Sequence, residues 1–216
     1  MSTLTTEILL RAYRAGIFPM SEGRNDPEIF WVDPEMRGII PLETFSTSKS
    51  LRRALKKAPF TLTCDTAFRQ IIEGCANATE LRPSTWINGE IIRLYSALHE
   101  QGNAHSVECW QDGELVGGVY GISIGAAFFG ESMFSKVSNA SKVALVALVA
   151  HLKRGGYRLL DTQFITDHLR QFGAVEISRQ EYHLRLVEAL AQKAVFYPDI
   201  SGTNIPLLKQ STTQTS

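Results

Sequence analysis

The chain has 216 residues, 44% of them hydrophobic and 20% charged, the balance of a globular protein with one domain of ordinary size plus a small appendage. Its 22 basic and 22 acidic residues give a formal net charge of zero, which argues against dense coating of nucleic acid while leaving room for a local basic face. The longest apolar stretch, Val143 to Ala150, is far too short to span a bilayer, and Met1-Ser2-Thr3-Leu4 opens without the regions of a secretory signal, so a cytoplasmic address is expected.

A first helix is predicted over about Thr6 to Ala15, where Ile8, Leu9, Ala12 and Tyr13 form a 3.6-period stripe and Gly16 follows as a stop. From Phe18-Pro19 through Asp33-Pro34 the chain is punctuated by Pro, Gly and Asp, which predicts loops and short strands. A domain junction is placed near Met36, giving a small N-terminal domain over 1–36 and a larger one over 37–205. Helices are predicted at about Ser48 to Lys57, with Ser48 as N-cap, at Asp65 to Gly74 and at Gly89 to Gln101, with Asp65 and Asn88 as caps.

The middle of the chain changes period. His105 to Gln111, an Asp112-Gly113 turn and Glu114 to Ser123 read as a β-hairpin. A strand over Ala126 to Met133 follows, then a helix from about Asn139 to Arg154, a strand over Tyr157 to Gln163, a short helix and a break at Gly173. Ser178 and Glu181 form a capping box for a last helix reaching about Gln192. Residues 206–216, rich in Thr, Ser and Gln, are expected to be disordered. This order of elements predicts an α+β fold with a mixed sheet.

Few residues point to chemistry unaided. Asp161 and Gln163 lie two apart on a predicted strand, so their side chains share a face; a carboxylate beside an amide can orient an amine and accept a proton, although a turn or N-cap carboxylate fits the same pattern. Glu131 lies among Phe128, Phe129, Met133 and Phe134, where a carboxylate is costly to bury without a partner. A basic ligand and an internal salt bridge are equally good partners. Val119, Phe128, Met133, Leu145 and Leu148 suit an apolar cavity or plain core. The basic run Lys49, Arg52, Arg53, Lys56 and Lys57 suits phosphates or a solvated helix face, and Trp86 suits a stacked base or the edge of the core.

Cys64, Cys75 and Cys109 share no CxxC spacing and read as reduced thiols. None of the five histidines pairs with another ligand at metal spacing, and His105 reads as an ordinary hydrogen-bonded strand residue. No Walker A, GxGxxG or GxSxG motif is present.

A set of short blocks carries more. Ala12-Tyr13-Arg14-Ala15-Gly16-Ile17-Phe18-Pro19, Ile72-Glu73-Gly74-Cys75-Ala76, Thr85-Trp86-Ile87 and His105-Ser106-Val107-Glu108 are followed by Gly117-Gly118, the block from Gly130 to Ser135, Asn139-Ala140-Ser141-Lys142 and Asp161-Thr162-Gln163. In this order, over roughly four-fifths of the chain, they resemble the leucyl/phenylalanyl-tRNA–protein transferase family. The resemblance implies an acetyltransferase-like larger domain. The segment Ser135-Lys136-Val137-Ser138-Asn139-Ala140 lacks the coenzyme A pyrophosphate loop, which argues against an acyl-CoA N-acetyltransferase; a non-catalytic module that binds basic N-termini is the other alternative.

The family implies transfer of Leu or Phe, and less readily Met, from aminoacyl-tRNA to the N-terminal Arg or Lys of acceptor proteins, marking them for N-degron degradation. It implies no metal or nucleotide cofactor; no membrane partner is expected from the apolar pattern, and a monomer is the default expectation. By position, Asp161 and Gln163 are implied to hold and deprotonate the attacking amine and Glu131 to bind the basic acceptor. Val119, Phe128, Met133, Leu145 and Leu160 are implied to form the aminoacyl side-chain pocket. Tyr13 and Trp86 are implied at the tRNA 3′ end, and Lys49, Arg52, Arg53, Lys56 and Lys57 at the acceptor stem. Met20 departs from the family, whose members often carry Trp there, and Val119 is smaller than the Met of some relatives.

Overall fold

The structure, a computed structural model, describes residues 4–49, 51–53, 60–77 and 85–200. Helix α1 (Thr6–Arg14) is capped by Thr5, whose hydroxyl accepts from the Ile8 amide, and buries Leu9, Ala12 and Tyr13. Gly16 follows with φ +83°, the left-handed stop that glycine adopts freely. Strands β1 (Phe18–Met20) and β2 (Phe30–Val32) then pair antiparallel as a two-stranded sheet.

The chain next enters the main sheet with β3 (Met36–Ile39) and β4 (Thr61–Cys64). Helices α2 (Phe68–Ala76) and α3 (Gly89–Glu100) follow, then β5 (Ala104–Gln111), β6 (Glu114–Ile124) and β7 (Ala127–Ser135). Helix α4 (Ala140–Gly155) leads to β8 (Leu159–Gln163), α5 (Asp167–Arg170), β9 (Val175–Ser178) and α6 (Arg179–Leu190). The seven strands lie in the order β4-β5-β6-β7-β8-β3-β9, antiparallel throughout except for β7 and β8. The expected α+β mixed sheet flanked by helices is thus present.

The pleat sends alternate side chains to two cores. On one face Tyr120, Ile122 and Ile124 of β6 join residues of α1, α2, α3 and α6. On the other, Val119 and Phe128 pack against α4, whose apolar residues run round most of its circumference, as a helix buried on nearly all sides requires. The predicted hairpin forms with Asp112 and Gly113 both at positive φ, 52° and 80°, the type I′ arrangement that Asp-Gly favours. Asn88 and Ser178 cap α3 and α6 as expected, their side chains accepting from Ile91 and Glu181 amides.

Three strands were not anticipated. The short β3, β4 and β9 carry too few residues to show a period, and β3 falls where a domain junction was expected. The helix expected from Asp65 begins at Phe68 instead. Asp65 has φ 56°, and its carboxylate accepts from the Ser106 amide and bonds His105 rather than capping α2. Ser48 does act as a cap, its hydroxyl accepting from the Leu51 amide; the rest of that expected helix beyond residue 53, with Lys56 and Lys57, lies outside the described residues, as does the 206–216 tail. None of the three cysteines forms a disulfide. Among the described residues, no helix is long and apolar enough to cross a membrane.

Candidate active site

Strands β7 and β8 pair in parallel only as far as Phe129 opposite Asp161. Beyond that point β7 runs on to Ser135 against β6, while β8 turns away at Gln163. Two irregularities shape the gap. The β6–β7 register passes from Gly121↔Gly130 to Tyr120↔Ser132, leaving Glu131 as the extra residue on β7. The β3–β8 register passes from Ile39↔Asp161 to Gly38↔Gln163, leaving Thr162 as the extra residue on β8. Bulges of this kind re-aim side chains, and here both aim them into the wedge between the diverging strands. The wedge is a cavity of about 710 Å³ lined by Glu131, Met133, Thr162, Gln163, Trp86 and Met20, among others.

The second bulge corrects the expectation that Asp161 and Gln163 present one face. Gln163 lines the cavity; Asp161 does not. Asp161 is fully buried and forms an ion pair with Arg37, itself 1% exposed. Arg37 Nε donates to Asp161 Oδ1 at 2.9 Å and Nη2 to Oδ2 at 2.6 Å, the two-pronged geometry of a strong pair. The Tyr182 hydroxyl donates to Oδ2 at 2.7 Å and the Gln163 amide to Oδ1 at 2.8 Å. Burial works against the Arg37 charge, but Asp161 and the hydrogen bonds to it raise its pKa further, so the guanidinium stays charged. Burial, followed by the Asp161 charge, raises the Tyr182 pKa and keeps its hydroxyl a neutral donor.

Glu131 stands in a different setting. The Tyr13 hydroxyl donates to Oε1 at 2.7 Å, the Tyr95 hydroxyl to Oε2 at 3.3 Å and the Gln163 side-chain amide to Oε1 at 3.2 Å. Tyr13 and Tyr95 are also hydrogen-bonded to each other. Every one of these donors is neutral, since burial first and Glu131 second raise both tyrosine pKa values. Burial pushes the Glu131 carboxyl up to about 8, with the Tyr13 hydrogen bond opposing and the Asp161 charge adding to the rise. The nearby cation, Arg37, is committed to Asp161.

The other expected site residues divide by place. Trp86 and Met133 line the cavity. Tyr13, expected at the tRNA 3′ end, is wholly buried beneath Glu131 and packs on Phe129 with ring centroids 4.9 Å apart. Val119, Phe128, Leu145 and Leu160 are buried together in the α4-side core, with Met133 packed against that cluster; of these five only Met133 lines the cavity. Lys49, Arg52 and Arg53 are exposed. Among the described residues, no group of three or more His, Cys, Asp and Glu could hold a metal ion. His105 bonds Asp65 at 2.8 Å and stacks on Phe196, as an ordinary strand histidine does.

Sequence reasoning missed Arg37, Tyr95 and Tyr182. Arg37 carried a usable signal: a guanidinium beside Gly38-Ile39-Ile40 needs a buried partner by the same argument applied to Glu131. The two tyrosines carried none, because a buried hydroxyl finds its partner only in the fold.

A family model described as leucyl/phenylalanyl-tRNA protein transferase matches residues 39–187, and one described as its N-terminal domain matches residues 2–35. The chain is 60% identical over 196 residues to a leucyl/phenylalanyl-tRNA–protein transferase of Paramagnetospirillum magneticum, covering 91% of this chain and 94% of that protein. It is 54% identical over 200 residues to the protein of the same name from Rhodospirillum rubrum, covering 93% and 94%. Among solved structures, one titled FemX matches with 12% identity and a TM-score of 0.48, covering 90% of this chain and 67% of the other.

Proposed function

Since the chain belongs to the leucyl/phenylalanyl-tRNA protein transferase family, we propose that it moves Leu or Phe from aminoacyl-tRNA to the N-terminal amine of proteins beginning with Arg or Lys. The observation that carries this reading is Glu131: a buried carboxyl at a cavity wall, held by three neutral donors and, among the described residues, in no ion pair. A guanidinium or ammonium entering the cavity supplies the missing counter-charge and draws the carboxyl into its ionised form.

The reaction itself makes modest demands. The acceptor nitrogen attacks the ester carbonyl carbon, the amide bond forms, the bond to the tRNA ribose oxygen breaks, and the proton lost by the amine ends on that oxygen. The ester is already activated, and an α-amine with an unperturbed pKa of about 7.7–8.0 has a neutral fraction near pH 7, so positioning supplies much of the catalysis. Gln163 is suited to that work. Its Nε2 is engaged by Glu131, leaving Oε1 to accept from the incoming amine; an amide is too weak a base to keep the proton. Asp161, with Arg37, Tyr182 and the Gln163 amide on its two oxygens, serves through Gln163 and not by contact with the amine.

Met133 opens on the buried group Val119, Phe128, Leu145 and Leu160, which suits a Leu or Phe side chain, with Met a weaker donor because one methylene is worth only about 1–3 kcal/mol in an apolar pocket. Trp86 offers a face for the terminal adenosine, and the exposed Lys49, Arg52 and Arg53 suit the acceptor stem. Residues 1–36 act as the small unit and 37–205 as the transfer unit, a division supported by family models that end at 35 and begin at 39. The enzyme works as a cytoplasmic monomer and marks its acceptors for degradation. A single assay tests the reading: transfer of labelled Leu, Phe and Met from their tRNAs to peptides starting with Arg, Lys or Ala. Equal transfer to the Ala peptide, or none to Arg and Lys, would sink it.

A further inference from the structure

We propose that Tyr182, Arg37 and Gly38, none of which lines the cavity, are positioning residues for transfer because they hold a strained turn at Gln163 that aims its amide. The proposal rests on the transferase reading above. Gln163 has φ 57°, a left-handed conformation that a residue with a side chain seldom adopts. The Phe164 amide donates back to the Thr162 carbonyl at 2.6 Å, closing a three-residue turn. With positive φ at its centre this is the strained hand of the γ-turn. Such strain persists only where the surroundings over-determine it.

Here the surroundings act from two sides. The Gln163 amide is tied to Asp161 Oδ1 at 2.8 Å, and Asp161 cannot drift. Arg37 grips both of its oxygens, and Tyr182 donates to Oδ2 at 2.7 Å and accepts from Arg37 Nη2 at 3.2 Å. Arg37 is itself fixed. Its Nη1 donates to the Gly16 carbonyl at 2.9 Å, and its guanidinium lies between the rings of Phe18 and Tyr182, 4.5 and 4.4 Å from their centroids. From the other side Gly38 pairs with Gln163 across the bulge, so closely that a Cβ there would come 2.8 Å from the Phe164 carbonyl carbon. The turn is therefore wedged by β3 and tethered by the Arg37–Asp161–Tyr182 cluster. What that geometry, with the backbone N–H on Asp161, delivers is the Gln163 side-chain Nε2 at 3.2 Å from Glu131 Oε1, on the cavity wall.

The test uses the full chain and the variant Tyr182→Phe, which keeps the buried ring and removes one donor from Asp161. Steady-state transfer of labelled Leu to an Arg-starting peptide is measured in the wild-type and Gln163→Ala backgrounds, beside amide hydrogen exchange of Gln163 and Phe164 without substrate. In the wild-type background kcat should fall about tenfold to a hundredfold, the range a misplacement near the reacting groups produces, with both KM values little changed. In the Gln163→Ala background the second substitution should have no further effect, because the cluster acts through Gln163; a merely structural role would cost the same factor in both. Exchange at Gln163 and Phe164 should quicken. Gly38→Ala should repeat the pattern from the opposite side. Unchanged exchange, or equal losses in both backgrounds, overturns the proposal. A wild-type protein that transfers nothing overturns the transferase reading instead, and the exchange rates still decide the turn.

Discussion

The side-chain amide of Gln163 donates to Glu131 Oε1 across 3.2 Å, bridging β8 to β7 where the two strands have ceased to pair. The backbone N–H of the same residue donates to Asp161 Oδ1 at 2.8 Å, so Gln163 links two carboxyl groups of opposite character. On the Asp161 side the carboxylate is buried and paired with Arg37; on the Glu131 side the carboxyl is buried among neutral donors and its pKa is raised to about 8. The two acids therefore sit in different settings and should answer differently to substitution.

Glu131 should set a pH-dependent stability. Its pKa is raised in the folded state, to about 8, mainly by burial, so the folded form favours the protonated carboxyl. The contribution is fully present below the ordinary carboxylate range and is lost as pH rises through about 8. Glu131→Gln, which mimics the protonated form, should therefore melt close to wild type near pH 5 and higher than wild type at pH 8–9. The same variant should lose saturable binding of Arg-starting peptides. Thermal melts across pH check the first part, and a Tm gap that shrinks with rising pH would exclude it.

Asp161 should behave in the opposite way. Asp161→Ala leaves the Arg37 guanidinium buried and without its carboxylate, a loss of about 3–5 kcal/mol for a broken buried pair. Arg37→Met in the same chain should recover part of that stability, since removing both charges is less harmful than stranding one. Transfer should be greatly lowered in both, because neither restores the tether on Gln163. Urea denaturation supplies the comparison; a single Asp161→Ala variant as stable as wild type would show that the ion pair contributes nothing.

These contrasts mark how far the sequence could be read. Hairpin, long helices and caps were legible because each rests on local chemistry: Asp112-Gly113 for the turn, Asn88 and Ser178 for helix starts. The strand β3 was not, because Met36–Ile39 earns its place between β8 and β9 only through partners distant in the chain. The site divides along the same line. Glu131 was visible as a charge among aromatic residues, but the shared face expected of Asp161 and Gln163 assumed an unbroken strand. The bulge at Thr162 is set by Gly38 on β3, and no spacing within Asp161-Thr162-Gln163 announces it.

The proposed donor pocket makes a size prediction. Val119 is 3% exposed and packs with Phe128, Leu145 and Leu160 in the core cluster that Met133 joins to the cavity. Val119→Met adds bulk where a Phe ring would need room. Transfer from Phe-tRNA should fall relative to Leu-tRNA by about tenfold, within the 1–3 kcal/mol range for a methylene-sized change in such a pocket. The ratio of the two kcat/KM values reads it directly. An unchanged ratio would place the donor side chain elsewhere.

Trp86 tests the proposal that the cavity takes the tRNA 3′ end. The Ser21 hydroxyl donates to the Trp86 carbonyl at 2.8 Å, the Ile87 amide donates to the Thr85 hydroxyl, and the Asn88 side chain caps α3. The half-buried residue lines the cavity beside Met20 and Phe18, where its ring offers a surface on which a base can stack. Base–aromatic stacking is worth about 1–3 kcal/mol, which converts to a loss of roughly fivefold to 150-fold in binding when the ring is removed. Trp86→Ala should raise the KM for aminoacyl-tRNA by such a factor and leave the KM for the acceptor peptide unchanged, whereas Trp86→Phe should retain much of the affinity. Met20→Trp should act in the other direction by adding a second ring to the same wall. A Trp86→Ala enzyme with the wild-type KM for aminoacyl-tRNA would mean that the adenosine lies against another surface and that this ring only closes the edge of the core.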